Sequence, residues 1–342
     1  MDQLKEYYQR WNDVPQPGKI SILKRVALAC YFLFLLLLVI YAFGRTAKTT
    51  SAIVPIVLFI DGTPYNMEVI RYLAQRRDTI IGMIVLNNNT LAVERLRSKT
   101  GNVEAILSAL KAEGYTKAVP VYASHMSSPD NFAAPLDQMV AKRLVKFIIA
   151  GPCTEAAYFL AAYPTHHSNI VDIFVAGGAF NKAGNANVLL PTNTKAERNF
   201  YMDPSAADHI LAGSHGRQVT LFPIDVAIAW TEEAYAAIVS NLSSTAASVG
   251  IVASGLQWYY TNIDPSSSTT VGLMAAVYAS DAQVRETATY TSIPVRVRTG
   301  GTNITDGQSY RPASGALVRV MLSVAADTFF SHLLRVDKLP LV

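Results

Sequence analysis

Cysteine is almost missing from this chain: 342 residues contain two, Cys30 inside a long apolar run and Cys153 in the globular part, so no internal disulfide is expected. Charge is scarce as well, at 16% of residues, and no five or six basic side chains follow one another. The formal charge of +4 is therefore scattered, and nucleic acid is not an expected partner. Low-complexity tracts and internal repeats are also absent, so a single domain is expected, and the composition excludes disordered and coiled-coil classes. What is present in quantity is apolar: 51% hydrophobic residues, enough to bury the core of one large domain.

The most concentrated signal is Val26 to Gly44, 19 residues without a charged, Asn, Gln or Pro side chain. That length matches a helix spanning a bilayer, and it starts too late and runs too long for a cleaved signal peptide. Lys5, Arg10, Lys19, Lys24 and Arg25 precede it, against Arg45 and Lys48 after it. By the positive-inside rule the N-terminus then faces the cytoplasm or matrix and the rest lies across the membrane. The expected organisation is an N-terminal segment 1–25, a transmembrane helix 26–44 in contact with lipid, a linker 45–54 and one domain 55–342. The scarcity of cysteine favours the mitochondrial inner membrane with the domain in the intermembrane space. Sequons at Asn88, Asn241 and Asn303 keep the ER and plasma membrane open.

After the linker, Ile56 to Ile60 reads as a continuous apolar strand, followed by a Gly/Pro turn and a helix. The segments TIIGMIVL, AVPVYAS, VKFIIAGPC, NIVDIFVAGGAF and QVTLFPIDV repeat the theme, each running from apolar into polar or Gly-rich sequence. VERLRSKTGNVEAILSALKAEG supplies a crossover helix ending at Gly114. This is the pattern of an α/β, doubly wound, mostly parallel sheet with its site at the strand C-terminal ends. PVRVRTGG and ALVRVMLSV alternate with period two and read as antiparallel strands, ahead of a closing helix.

Taken in order, IIAGPCTEAAYFLAAYP, VAGGAFNKAGNANV, AERNFYMDPSAADHIL and VTLFPIDVA resemble the inosine-uridine type nucleoside hydrolase family over Pro55 to Leu334. The resemblance implies a calcium ion held by aspartates, a ribose pocket of asparagines and a glutamate, and N-glycosidic bond hydrolysis by a metal-bound water. On the ribose side, Gly184 and Asn185 match a Gly-Asn pair, and Glu197 and Asn199 match the family's Ala-Glu-Phe-Asn, with Arg198 in the aromatic position. Asn88 matches the asparagine after the second strand, although Asn87 replaces a glycine. Thr154 matches the threonine whose carbonyl helps bind calcium. The stretch NVLLPTNTK lengthens the interval between Asn185 and Glu197 beyond the family's.

On the metal side the family's first strand ends in Asp-x-Asp-Pro-Gly-x-Asp-Asp, where this chain has FIDGTPYNME. If Asp61 takes the second aspartate's place, Phe59, Tyr65 and Asn66 replace the others. If it takes the first, Thr63 and Met67 replace two and Glu68 is left. The late His-Asp pair falls on Val271 and Gly272, with Asp264 the nearest upstream acid. Asp61 is then the catalytic candidate of a degenerate site, Asn88, Asn185, Glu197 and Asn199 its ligand-binding residues, and Asp61, Asn66, Thr154 and Gly272 its vestigial metal positions. No metal or other cofactor is expected unless the chain is an active enzyme, when calcium would be needed. His125, His166, His167, His209, His215 and His332 lack metal-ligand spacing, and Cys153 reads as a buried thiol.

The expected function is a pseudoenzyme acting as a membrane-anchored accessory subunit of a larger complex, a mitochondrial respiratory or ATP synthase complex by preference. Two alternatives stay open: a calcium-dependent nucleoside hydrolase, and a nucleoside or ribosyl-ligand sensor.

Overall fold

The protein, a computed structural model, is described over residues 53–87, 93–124, 130–213, 218–226, 247–262, 271–300 and 304–336, with Gln9 and Tyr31 as isolated positions. The chain divides into two units, Met1–Ile53 and Val54–Val342. The expected anchor, Val26 to Gly44, lies outside the described residues except for Tyr31. No helix among the described residues is long and apolar enough to cross a membrane.

The second unit is built on an eight-stranded sheet. Strands β1 (Ile56–Ile60), β2 (Ile81–Leu86), β3 (Val121–Ala123), β4 (Val145–Ala150), β5 (Ile170–Ala176) and β6 (Val219–Phe222) are joined by β10 (Leu317–Ser323) and β7 (Thr289–Pro294) in the order β3-β2-β1-β4-β5-β6-β10-β7. Every pairing is parallel except β10 with β7 at the edge. The alternating ALVRVMLSV segment is thus parallel to β6 and antiparallel to β7, a strand with no alternating pattern of its own. PVRVR leaves the main sheet: β8 (Arg296–Val297) pairs with β9 (Ser309–Tyr310) in a separate two-stranded ladder.

Burial of both faces explains the continuous apolar strands. Along β1, Ile56, Leu58 and Ile60 enter one core with α1 (Met67–Gln75), α2 (Val93–Ala112), α7 (Ala247–Asn262), α8 (Val271–Ser280) and α10 (Ala326–Val336). Val57 and Phe59 enter the other, with α3 (Asp130–Lys142), α4 (Thr154–Ala162) and α6 (Pro204–Leu211). Helix α8 is apolar all round because it is buried from Val271 to Ala279.

A buried polar cluster fastens α10 to this body. The Tyr72 hydroxyl and Arg76 Nη1 both meet His332 Nε2 at 2.9 Å. Arginine only donates, so Nε2 accepts and the ring proton sits on Nδ1, 3.2 Å from Asp281 Oδ2. Asp281 also caps α9 (Ala282–Thr287) by accepting from Val284 N at 3.0 Å. Burial pushes the Tyr72 phenol up to about 12.

Strand order reverses between β1 and β4, the place where open α/β sheets gather their ligands.

Candidate active site

Asp61 is the first residue past β1, at that switch point, and is 2% exposed. Its Oδ1 accepts from Thr63 N at 3.1 Å, from Thr63 Oγ1 at 2.6 Å and from Asn66 Nδ2 at 2.6 Å. These bonds fold Gly62–Asn66 into a tight turn. Gly62 has φ +68°, and a Cβ there would stand 2.8 Å from Lys99 Cβ. Asn66 Nδ2 also donates to Ala150 O at 3.1 Å, joining the ends of β1 and β4.

Gly272, near the start of α8, faces the same point: a Cβ built on it would lie 3.5 Å from Asn66 Oδ1 and 3.1 Å from Ala150 Cβ. Asp61, Asn66 and Gly272 therefore come together, with one carboxylate among the three. The Thr154 side chain turns to Asp203. Its Oγ1 donates to Asp203 Oδ2 at 2.7 Å, and Asp203 Oδ1 caps α6 by accepting from Ala206 N at 3.0 Å.

The side chain that meets Asp61 from across the site is Arg198, the first residue of α5 (Arg198–Met202). Its Nη2 donates to Asp61 Oδ2 at 2.8 Å, with the two side chains 17% and 2% exposed. The backbone N of Arg198 is fixed by donating to Asn185 Oδ1 at 2.7 Å. In the sequence Arg198 stands only in the place of an aromatic; its link to Asp61 spans 137 positions and has no local signature.

Glu197 caps α5, its Oε2 accepting from Asn199 N at 2.9 Å, Phe200 N at 3.1 Å and Gly178 N at 3.4 Å. Burial pushes its carboxyl up to about 7; those three bonds oppose the shift and the Asp61 charge adds to it. Asn199 Nδ2 donates to Ala176 O at 3.1 Å, while its buried Oδ1 has no partner among the described residues. Of the four ligand-binding candidates, Asn185, Glu197 and Asn199 converge on the start of α5, and Asn88 lies outside the described residues.

Its neighbour Asn87 is fully buried and ties β2 to α4: Nδ2 donates to Pro152 O at 2.5 Å and to a Glu155 carboxylate oxygen. The stretch NVLLPTNTK folds back on itself. Gly184 N donates to Thr194 O at 2.7 Å, Asn193 Oδ1 accepts from Ala196 N at 3.0 Å, and Asn193 Nδ2 reaches Asp306 O at 2.9 Å. Cys153 is a free, buried thiol, pushed well up by burial and then by Asp203, Glu197 and Glu155, so it is no nucleophile at neutral pH.

The family resemblance implies calcium, and the donor set tests it. Calcium takes six to eight oxygens, several of them carboxylate. Among the described residues no three His, Cys, Asp or Glu side chains converge on one point. Asp61 is bonded instead to a guanidinium and an amide N–H, and Ala150 O to the same amide. These residues do not fit a calcium ion.

A family model described as inosine-uridine preferring nucleoside hydrolase matches residues 95–331, more than half of the chain. The match takes in Thr154, Asn185, Glu197, Asn199 and Gly272 and begins after Asp61 and Asn66. Among curated proteins, a probable uridine nucleosidase 1 of Oryza sativa subsp. japonica is 26% identical over 174 residues, 45% of this chain and 52% of that protein. The chain thus spans about half the length of this relative. A plant nucleoside hydrolase structure superposes with a TM-score of 0.68 at 18% identity, covering 84% of this chain and 100% of that one. An inosine-uridine preferring nucleoside hydrolase from Bacillus anthracis gives 0.66 at 16% identity, over 83% and 99%. At these identities the structural likeness is one of fold.

Proposed function

This chain belongs to the inosine-uridine preferring nucleoside hydrolase family, and from that premise we propose that its site recognises the ribosyl part of a nucleoside without calcium and has lost calcium-dependent hydrolysis. The observation that carries this reading is the Arg198–Asp61 pair, 2.8 Å, at the only carboxylate among Asp61, Asn66 and Gly272. Ribosyl recognition is supported by Asn199, whose buried Oδ1 needs a donor that a sugar hydroxyl supplies. Glu197 stands beside it at the same short helix start, and Asn185 reaches that start from the preceding loop through Arg198 N.

A second reading, nucleoside N-ribohydrolysis, is favoured by the family itself and by the names of its relatives. Glu197 supports it too, as a buried carboxyl pushed up to about 7. One experiment separates the two. Full-length protein is incubated with inosine or uridine, with calcium and with chelator, and free base is measured alongside the melting temperature. The proposal expects a nucleoside-dependent rise in melting temperature and no base release; calcium-activated release would establish the second reading instead. The anchored accessory role, with the domain in the intermembrane space, rests on the Val26–Gly44 run, the basic residues that precede it and the scarcity of cysteine. Native electrophoresis of gently solubilised membranes tests it, and migration only as a free monomer would count against it.

A further inference from the structure

The Asp61 centre is not merely short of ligands; its oxygens are already taken by donors belonging to the chain. We propose that Arg198 is an internal, permanent cation standing in for a divalent ion, so that this end of the sheet is assembled and charge-balanced without metal.

Three observations converge. The guanidinium meets Asp61 Oδ2 at 2.8 Å, supplying the positive charge a buried carboxylate requires. Asn66 turns N–H towards Asp61 and Ala150 and its Oδ1 towards Gly272: Nδ2 donates to Asp61 Oδ1 at 2.6 Å and to Ala150 O at 3.1 Å, so an amide group occupies two oxygens a cation would use. Arg198 is held from behind, with its backbone N on Asn185 Oδ1 at 2.7 Å and the preceding Glu197 side chain buried as the helix cap. The guanidinium is part of the chain, so the balance is independent of calcium concentration. A metal ion in the same place would come and go with its supply.

The same geometry shows how the exchange could be reversed. Asn66→Asp is close to isosteric, and Gly272→Asp needs a shift of a few tenths of an ångström against Ala150 Cβ at 3.1 Å. The inference deepens the calcium-free reading, but its test involves no nucleoside, so failure of nucleoside binding leaves it untouched.

Calcium binding is measured by titration calorimetry and by melting temperature on full-length protein. Four forms are compared: wild type, Arg198→Phe, Asn66→Asp/Gly272→Asp, and the triple variant Asn66→Asp/Arg198→Phe/Gly272→Asp. The wild type is expected to show no calcium-dependent shift. The triple variant is expected to bind calcium at least tenfold more tightly than the double variant that keeps Arg198. Equal calcium affinity with and without Arg198 would overturn the proposal. The wild-type arm decides even if the triple variant fails to fold. Calcium binding by the wild type that Asp61→Asn abolishes would refute a built-in cation, and its absence supports one.

Discussion

Removing the Arg198 guanidinium while keeping a long apolar side chain, Arg198→Met, leaves Asp61 charged and 2% exposed. Breaking one side of a buried ion pair costs about 3–5 kcal/mol. Three hydrogen bonds onto Oδ1, from Thr63 N, Thr63 Oγ1 and Asn66 Nδ2, survive the substitution. They hold the expected loss near the lower end, about 3 kcal/mol, or roughly 6 °C in melting temperature for a domain of this size. Asp61→Asn removes the stranded charge, keeps an acceptor for those three bonds and turns an amide towards the methionine. The double variant should therefore recover about 2 kcal/mol of the loss. Urea unfolding of the wild type, both single variants and the double variant closes the cycle. If Arg198→Met costs less than about 0.5 kcal/mol, or the two substitutions add within that margin, the pair is ornamental and the reading of this site falls.

Glu197 makes stability fall as pH rises. Its folded carboxyl is raised from 4.5 to about 7, so from about pH 4.5 the unfolded chain releases its proton first and gains relative to the native state, until the native group ionises near 7. Glu197→Gln should flatten that slope in urea titrations at pH 5 and pH 7.5; an unchanged slope would contradict the assignment. Gly184→Ala places a Cβ 2.1 Å from Ala196 O and should cost about 3 kcal/mol or more, whereas Gly101→Ala, with nothing within 4 Å, should be neutral or stabilise by about 0.5–1 kcal/mol. Thermal melts compare the two. His332→Leu strips Arg76 and Asp281 of a buried partner and should loosen α10 by about 1–3 kcal/mol, read as faster amide exchange over 326–336.

The parallel strands were legible because strands covered on both faces must be apolar throughout, as Val57–Ile60 and Phe147–Ile149 are. β7 was not: Thr289–Pro294 is largely exposed and carries no alternation, so only its pairing with β10 identifies it. PVRVR alternates correctly but serves a two-residue strand in the minor ladder. At the site, Asn185, Glu197 and Asn199 could be recognised by their order along the chain, since all belong to one loop and helix start. The Arg198–Asp61 pair and the Asn87–Glu155 bond could not, because each joins residues that only the folded sheet brings together.

The cluster around His332 carries a consequence for biosynthesis. Tyr72 and His332 are 260 positions apart. At about 5–20 residues per second the ribosome needs roughly 13 to 52 seconds to travel between them. Throughout that interval α1 exists with its phenol and Arg76 guanidinium deprived of the imidazole they finally share. Closure of this side of the domain therefore awaits α10, and translation, rather than the intrinsic speed of helix docking, sets its timetable.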